Sequence, residues 1–154
     1  MLTSYQIFLI EHVKKSIEYA QLEKSKLHSE ILRLEGMSSN KIRHFLNNIC
    51  SLEDGRYLEI GIWKGATFIS ALHQNQLKSA IAIDNWKQFS GTKKDFEYNV
   101  SQLSPATDYQ LFESDCFNFD IQKISSKINL YFYDAGHTKK DQKLAFTHYH
   151  ERFE

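Results

Sequence analysis

Apolar positions along the chain follow two rhythms. Over residues 5 to about 34 they recur every three or four places, at Ile10, Val13, Ile17 and Ala20 and again at Leu27, Ile31 and Leu34, which predicts helix. Gly36 follows as a helix-ending C′ residue. Ser38 or Ser39 then caps a further helix whose apolar face is Ile42, Phe45, Leu46 and Ile49. Past the Glu53-Asp54-Gly55 turn the rhythm shortens. Apolar, β-branched and aromatic runs at Tyr57, Leu58 and Ile60, at 79–84, at 109–113 and at 128–134 predict four strands. Helical patterns separate them: 66–72; a helix carrying Phe96, Val100 and Leu103 and ended by Ser104-Pro105; a short helix with Phe119, Ile121 and Ile124; and a last helix from Lys139 with Leu144, Ala145 and Tyr149 inward. Strands alternating with helices at this spacing predict βαβ units and a parallel sheet with right-handed crossovers. The expected fold class is α/β, with a helical cover at 1–52 and a sheet domain at 53–154.

Composition narrows the function classes. The 19 Lys and Arg residues balance 19 Asp and Glu, and neither sign forms a long block, so charge offers no nucleic-acid or membrane-surface partner. Cys50 and Cys116 are far apart and lack metal spacing, which fits reduced thiols and a cytoplasmic setting. The apolar run at 7–10 is stopped by Glu11 and His12, too short for a signal peptide or a membrane span.

Candidate chemistry gathers at the strand ends. Residues 56–70 read as strand, glycine turn and helix start, with Gly61 and Gly65 allowing a sharp turn and close approach of a ligand. In open parallel sheets ligands bind outside the carboxyl ends of the strands. Those ends deliver Glu59 and Gly61, then Asp84, then Asp115, then Asp134 and His137. Asp84, 19 residues after Gly65, is placed to chelate ribose hydroxyls, or is an incidental turn aspartate. Trp86 is positioned to stack on an adenine, or is a core or surface aromatic. Asp115, with the Cys116 backbone, can receive an adenine amine and ring nitrogen, or can cap a helix. The turn reads E-I-G-I-W-K-G, with Ile62-Trp63 where a dinucleotide fingerprint has its middle glycine. A bulky residue there crowds a pyrophosphate and argues against NAD or FAD. A cofactor with an amino-acid tail demands less.

LEIGIWKGATF, AIDNW, ESD and YFYDAGH, in that order and spacing, resemble a class I S-adenosylmethionine-dependent methyltransferase over roughly residues 55–150. The nearer resemblance is to the small-molecule O-methyltransferase branch whose fourth strand ends in D-x-x-H, including macrolide-sugar methyltransferases. The resemblance implies that Glu59, Gly61 and Gly65, with Thr67 nearby, hold the methionine and ribose parts of S-adenosylmethionine. It assigns Asp84 to the ribose and Asp115 with Cys116 to the adenine. It makes His137 a general base and Asp134 a ligand for a divalent metal such as Mg²⁺. A structural reading of the same two residues is that Asp134 caps the next helix and His137 decorates the turn. His148 and His150 read as surface residues. The family's sheet runs 3-2-1-4-5-7-6, and this chain supplies only 3-2-1-4, so it reads as truncated at the C-terminus. Strand four is then an open edge, for a homo-oligomer or another partner to cover. The expected function is O-methylation of a small hydroxylated acceptor such as a sugar or glycan. A truncated, non-catalytic cofactor-binding or dimerisation module is the alternative, and a nicotinamide dehydrogenase is a third.

Overall fold

The computed structural model describes residues 1–103 and 108–154. Four strands, β1 (Arg56–Ile60), β2 (Ser79–Asp84), β3 (Gln110–Glu113) and β4 (Leu130–Tyr133), form one sheet in the order β3-β2-β1-β4. Every pair is parallel, with Leu58 opposite both Ile81 and Tyr131, and Ile83 opposite Phe112. This is the parallel α/β sheet that the alternation predicted, in the Rossmann-like strand order that the resemblance implied. β1 lies in the middle, so its side chains are buried on both faces from Tyr57 to Ile60. Period-two alternation then divides the core. Tyr57, Ala80 and Ala82 meet Phe68, Leu72 and Phe96 on one face, together with Ile31, Leu46 and Leu52 from the N-terminal segment. Leu58, Ile60, Ile81 and Ile83 meet Phe119, Ile124, Ile128 and Tyr149 on the other.

The N-terminal segment departs from its apolar rhythm. In place of one run, α1 (Ser4–Gln21) ends, the chain turns with Glu23 at φ 53°, and α2 (Ser29–Leu32) is a single turn. The break is held by polar side chains of α3 (Asn40–Ile49): Asn48 donates to the Lys24 carbonyl at 2.8 Å, and Asn47 accepts from the Lys26 amide at 3.0 Å. Such bonds offer the linker's backbone an alternative to helix. The inward line of α1 is Ser16 and Ala20, while Ile10, Val13 and Ile17 are 40%, 41% and 44% exposed. α3 is capped by Ser39, as expected. Beside Leu46 it buries Arg43, His44 and Asn47, and leaves Ile42 exposed. Those polar groups tolerate burial because they are bonded. The Arg43 guanidinium donates to Ser38 Oγ at 3.0 Å and to the Leu32 and Leu34 carbonyls at 3.1 and 2.9 Å. Asn47 Nδ2 donates to the Ser70 and His73 carbonyls at 2.9 and 2.8 Å. Gly36 ends no helix, since Arg33 is the C-cap of α2. It marks the crossing of this loop over α4 (Ala66–Leu72), where a Cβ would stand 2.5 Å from that of Ala66.

The remaining elements fall near their expected places. α5 (Lys93–Leu103) follows β2, and Ser104-Pro105 lies outside the described residues. The short helix after β3 is a 3-10 turn, Ile121–Lys123. α6 (Lys139–Tyr149) leads into a second 3-10 turn, His150–Arg152. Two expectations change here. Phe153 forms a parallel bridge to Ile128, with the Ile128 amide on the Arg152 carbonyl at 2.7 Å, so the chain itself pairs with the residues that lead into β4. His148 is half-buried, with Nε2 3.0 Å from the Phe119 carbonyl, whereas His150 is exposed. No helix among the described residues is long and apolar enough to cross a membrane.

Arg43→Met would strand the Leu32 and Leu34 carbonyls and the Ser38 hydroxyl. The expected loss is about 3 kcal/mol, read as a lower midpoint in equilibrium urea unfolding.

Candidate functional site

The site is built where β1 and β2 end. Beyond Ile60 the chain turns at Gly61, whose φ is +85° and whose Cβ, if present, would run into the Asp134 backbone carbonyl. Only glycine fits that approach. Trp63 follows at φ 45° and Trp86 lies at φ 47°, both in the left-handed region that bulky residues avoid. One side chain holds both. Asp84 accepts the Trp63 amide on Oδ2 at 2.8 Å and the Trp86 amide on Oδ1 at 2.7 Å, and the Trp86 indole donates to the Trp63 carbonyl at 2.8 Å.

These turns border a cavity of about 400 Å³ at the carboxyl ends of the strands. Its wall includes Gly61, Thr67, Asp84, Asp115, Cys116, Asp134 and His137. Three residues singled out with them stand behind the wall. Glu59 is fully buried and accepts from Tyr57 Oη at 2.5 Å and from Thr67 Oγ1, so it meets the cavity through Thr67. Burial raises its carboxyl pKa to about 8, against the opposing pull of the Thr67 and Tyr57 hydrogen bonds. Gly65 is the N-cap of α4, buried beneath Phe96. The Trp86 ring packs against Phe96, with centroids 6.2 Å apart.

The wall is acidic. Asp84, Asp115, Asp134 and Asp141 line it, and among the described residues no lysine or arginine does. Asp115 Oδ1 accepts the Phe117 and Asn118 amides at 3.0 and 3.2 Å, which fixes the turn after β3. Asp134 Oδ1 lies 3.9 Å from His137 Nε2, the pair being 38% and 74% exposed at their side chains. Burial raises the Asp134 carboxyl pKa, and His137 opposes that shift. Among the described residues no group of three or more His, Cys, Asp or Glu side chains is placed to hold a metal ion. Asp141 Oδ2 is taken by Thr138 Oγ1 at 2.7 Å in the N-cap of α6. Among the described residues, Asp134 therefore gathers no cluster of further protein ligands that would support a Mg²⁺ site.

Other wall residues carried no local signal. Residues 36–38 reach the cavity from the N-terminal segment, held by the Arg43 bonds and by an ion pair between Glu35 and Lys64 at 2.8 Å. Asn85, Gln88 and Phe89 come from the aromatic loop after β2, and Phe117, Tyr133 and Asp141 from the turns after β3 and β4. An aromatic-rich loop past a strand end was the one available hint.

A parallel open sheet with its cavity at the strand ends defines a Rossmann-like α/β domain. Residues 58–154 match a family model described as a methyltransferase domain, and the chain belongs to that family. No curated protein matches the chain. Among solved structures it is similar to the O-methyltransferase TomG of Streptomyces achromogenes, involved in tomaymycin synthesis and crystallised with SAM. That match has a TM-score of 0.59 at 16% identity and covers 94% of this chain and 61% of TomG. A candidate RNA methyltransferase of Pyrococcus horikoshii matches with a TM-score of 0.50 at 13% identity, covering 94% of this chain and 67% of that one. What they share with this chain is the Rossmann-like methyltransferase fold. The chain spans 61% of the length of TomG.

The buried Glu59 carboxyl gives the fold a pH signature. Its folded pKa of about 8 stands above the ordinary 4.5, so the folded state holds the proton more tightly. Its stabilising contribution is complete below the unfolded value and fades as pH rises through about 8. Glu59→Gln, which cannot ionise, should flatten the decline in melting temperature over that window.

Proposed function

We propose that the cavity binds S-adenosylmethionine and that the chain transfers its methyl group to a hydroxyl oxygen of a small acceptor, a sugar or glycan being one such compound. The observation that carries this reading is the acidic wall at the strand ends, to which no lysine or arginine among the described residues contributes. It suits a cationic cofactor bearing hydroxyls and offers no counter-charge to a pyrophosphate, which disfavours a nicotinamide dinucleotide. The methyltransferase family and the SAM complex of TomG support the same choice.

Asp84 would take the ribose hydroxyls, because both its oxygens are oriented by backbone amides and each keeps a lone pair. Asp115 with the Cys116 backbone would meet the adenine edge, and Gly61 and Thr67 the methionine end. Glu59 supports Thr67 from below. When bound, the cofactor supplies a methyl group on a positively charged sulfur, ready for attack by an oxygen.

The chain's own chemistry is positioning and proton removal. His137 Nε2 faces Asp134, so Nδ1 is the nitrogen left to accept the acceptor's hydroxyl proton. Asp134 then steadies the imidazolium that forms. The proposed chemistry routes no step through a metal. The alternative of a non-catalytic cofactor-binding module draws on the 74% exposure of the His137 side chain, which leaves the base on the open side of the cavity.

Two measurements separate these readings. Asp84→Ala should weaken S-adenosylmethionine binding by roughly tenfold or more in calorimetry, about 1.4 kcal/mol or above; absence of binding by the unsubstituted chain sinks the proposal. His137→Ala should lower kcat by about 10²-fold or more with cofactor affinity unchanged. Cofactor binding without turnover in the unsubstituted chain would favour the binding module.

A further inference from the structure

We propose that α1 is an interface between two copies of this chain, two α1 helices pairing antiparallel about a two-fold axis along the stripe Gln6, Ile10, Val13, Ile17 and Gln21. The inference is independent of the methyltransferase reading.

At 3.6 residues per turn these five positions fall within about a quarter of the helix circumference. They lie beside the line that packs inward through Ser16 and Ala20. α1 packs chiefly against α3, and Ile10, Val13 and Ile17 remain 40%, 41% and 44% exposed. One apolar side chain in water is ordinary, but three on successive turns of one stripe form a patch. Their steps of three and four are those of a helix–helix seam.

The other exposed flank of α1 is apolar as well, but its side chains serve one another. The rings of Tyr5 and Phe8 stack at 6.3 Å, those of Phe8 and His12 at 6.2 Å, and Lys15 Nζ stands 5.4 Å from the Tyr19 ring. That flank also carries the Lys15 charge, which resists desolvation. The stripe from Gln6 to Gln21 carries no charge.

Symmetry identifies the occupant. In a two-fold interface residue i meets j and j meets i, so the surface must complement itself. From a centre between Val13 and Lys14 the stripe reads alike in both directions, first Ile10 and Ile17, then Gln6 and Gln21. An antiparallel pair sets Ile10 against Ile17 of the second copy and Gln6 against its Gln21. Gln6 Oε1 accepts the Thr3 amide at 2.9 Å, which leaves Nε2 to donate to the facing Gln21. Val13 meets the stem of the opposite Lys14, whose methylenes can cover it. Lys14 Nζ is 2.8 Å from Glu11 of its own helix, so neutral pairs approach each other across the axis. A foreign partner would not require the stripe to mirror itself.

The area is sufficient for a reversible dimer. α1 has 18 residues and is about 27 Å long. The stripe, its neighbour Ile7 and the Lys14 stem would bury roughly 1,000 Å² across two copies, at the lower end of specific interfaces. A Kd on the order of 10–100 μM is expected.

The test is sedimentation equilibrium of the full chain from about 1 to about 300 μM, with melting temperature measured at the lowest concentration. The mass should rise from 18.1 kDa toward twice that value. Ile10→Lys and Ile17→Glu should each weaken association roughly tenfold or more, because each buries an unpaired charge. Their combination should restore it, since the antiparallel register sets each new lysine against a new glutamate, whereas a parallel pair sets like against like. Ile10→Ala with Ile17→Ala suits an exposed helix and preserves the fold. It should also weaken association by roughly tenfold, which separates lost pairing from lost folding if a charged variant melts early. A chain that stays monomeric throughout leaves the stripe to some other partner and overturns the inference. A dimer indifferent to these substitutions, joined by the β4 edge or another face, overturns it too, as does a charge-paired double variant no tighter than the single ones.

Discussion

Asp84 holds two strained turns with one carboxylate. The turn after β1 and the turn after β2 each place a tryptophan at positive φ, and each sends its tryptophan amide to a different oxygen of the same side chain. A backbone conformation of this kind costs of order 1–3 kcal/mol and persists where the surroundings over-determine it. Charge-assisted hydrogen bonds to backbone amides are among the stronger ones available to offset it. The register of β1 against β2, with Glu59 opposite Ala82 and Ile60 opposite Ile83, brings the two turns to the same height. The Trp86 indole then closes the link onto the Trp63 carbonyl. Floor and side wall of the cavity are therefore a single hydrogen-bonded unit.

The outer wall depends on a different device, buried polar groups. Arg43, Asn47 and Glu59 lie in the interior, each with hydrogen-bond partners. Apolar packing is non-directional and would let the N-terminal helices settle over the sheet in several ways. Hydrogen bonds from Arg43 to residues 32–38, and from Asn47 to the end of α4, permit one. Residues 36–38 thereby become cavity wall, although they lie well before the first strand, which begins at Arg56.

How much was legible in the sequence follows from the same contrast. β1, α4 and β2 stand where short apolar runs and the glycine turn placed them, because a central parallel strand is buried on both faces and has little freedom. The order of the strands came from resemblance to a methyltransferase, and the structure shows it. Of the acids at strand ends, Asp84, Asp115 and Asp134 converge on one cavity, since parallel strands send their carboxyl ends to the same side. Glu59 could not be separated from them by position alone. Its side chain alternates to the α4 face, where Thr67 and Tyr57 enclose it. In the N-terminal segment periodicity misled. Ile10, Val13 and Ile17 keep helical spacing and stay in water, while Arg43 and Asn47 go inward because tertiary carbonyl partners await them. Local pattern holds no record of those partners.

Electrostatics connects the buried and the open parts of the site. Four aspartates on the wall give the cavity a concentration of negative charge that no lysine or arginine among the described residues relieves from within the wall, and Glu59 lies buried beneath it. Like charges raise one another's pKa, and Asp134 and Asp84 both add to the upward shift at Glu59, after burial itself. A neutral Glu59 costs least when the cavity holds no cation. A positive charge arriving at the wall favours the ionised form, so ligand binding and the proton on Glu59 are thermodynamically linked, and each must shift the other equally. The carboxyl that the sequence marks as a cofactor ligand meets the cavity through Thr67. It holds Thr67 in place.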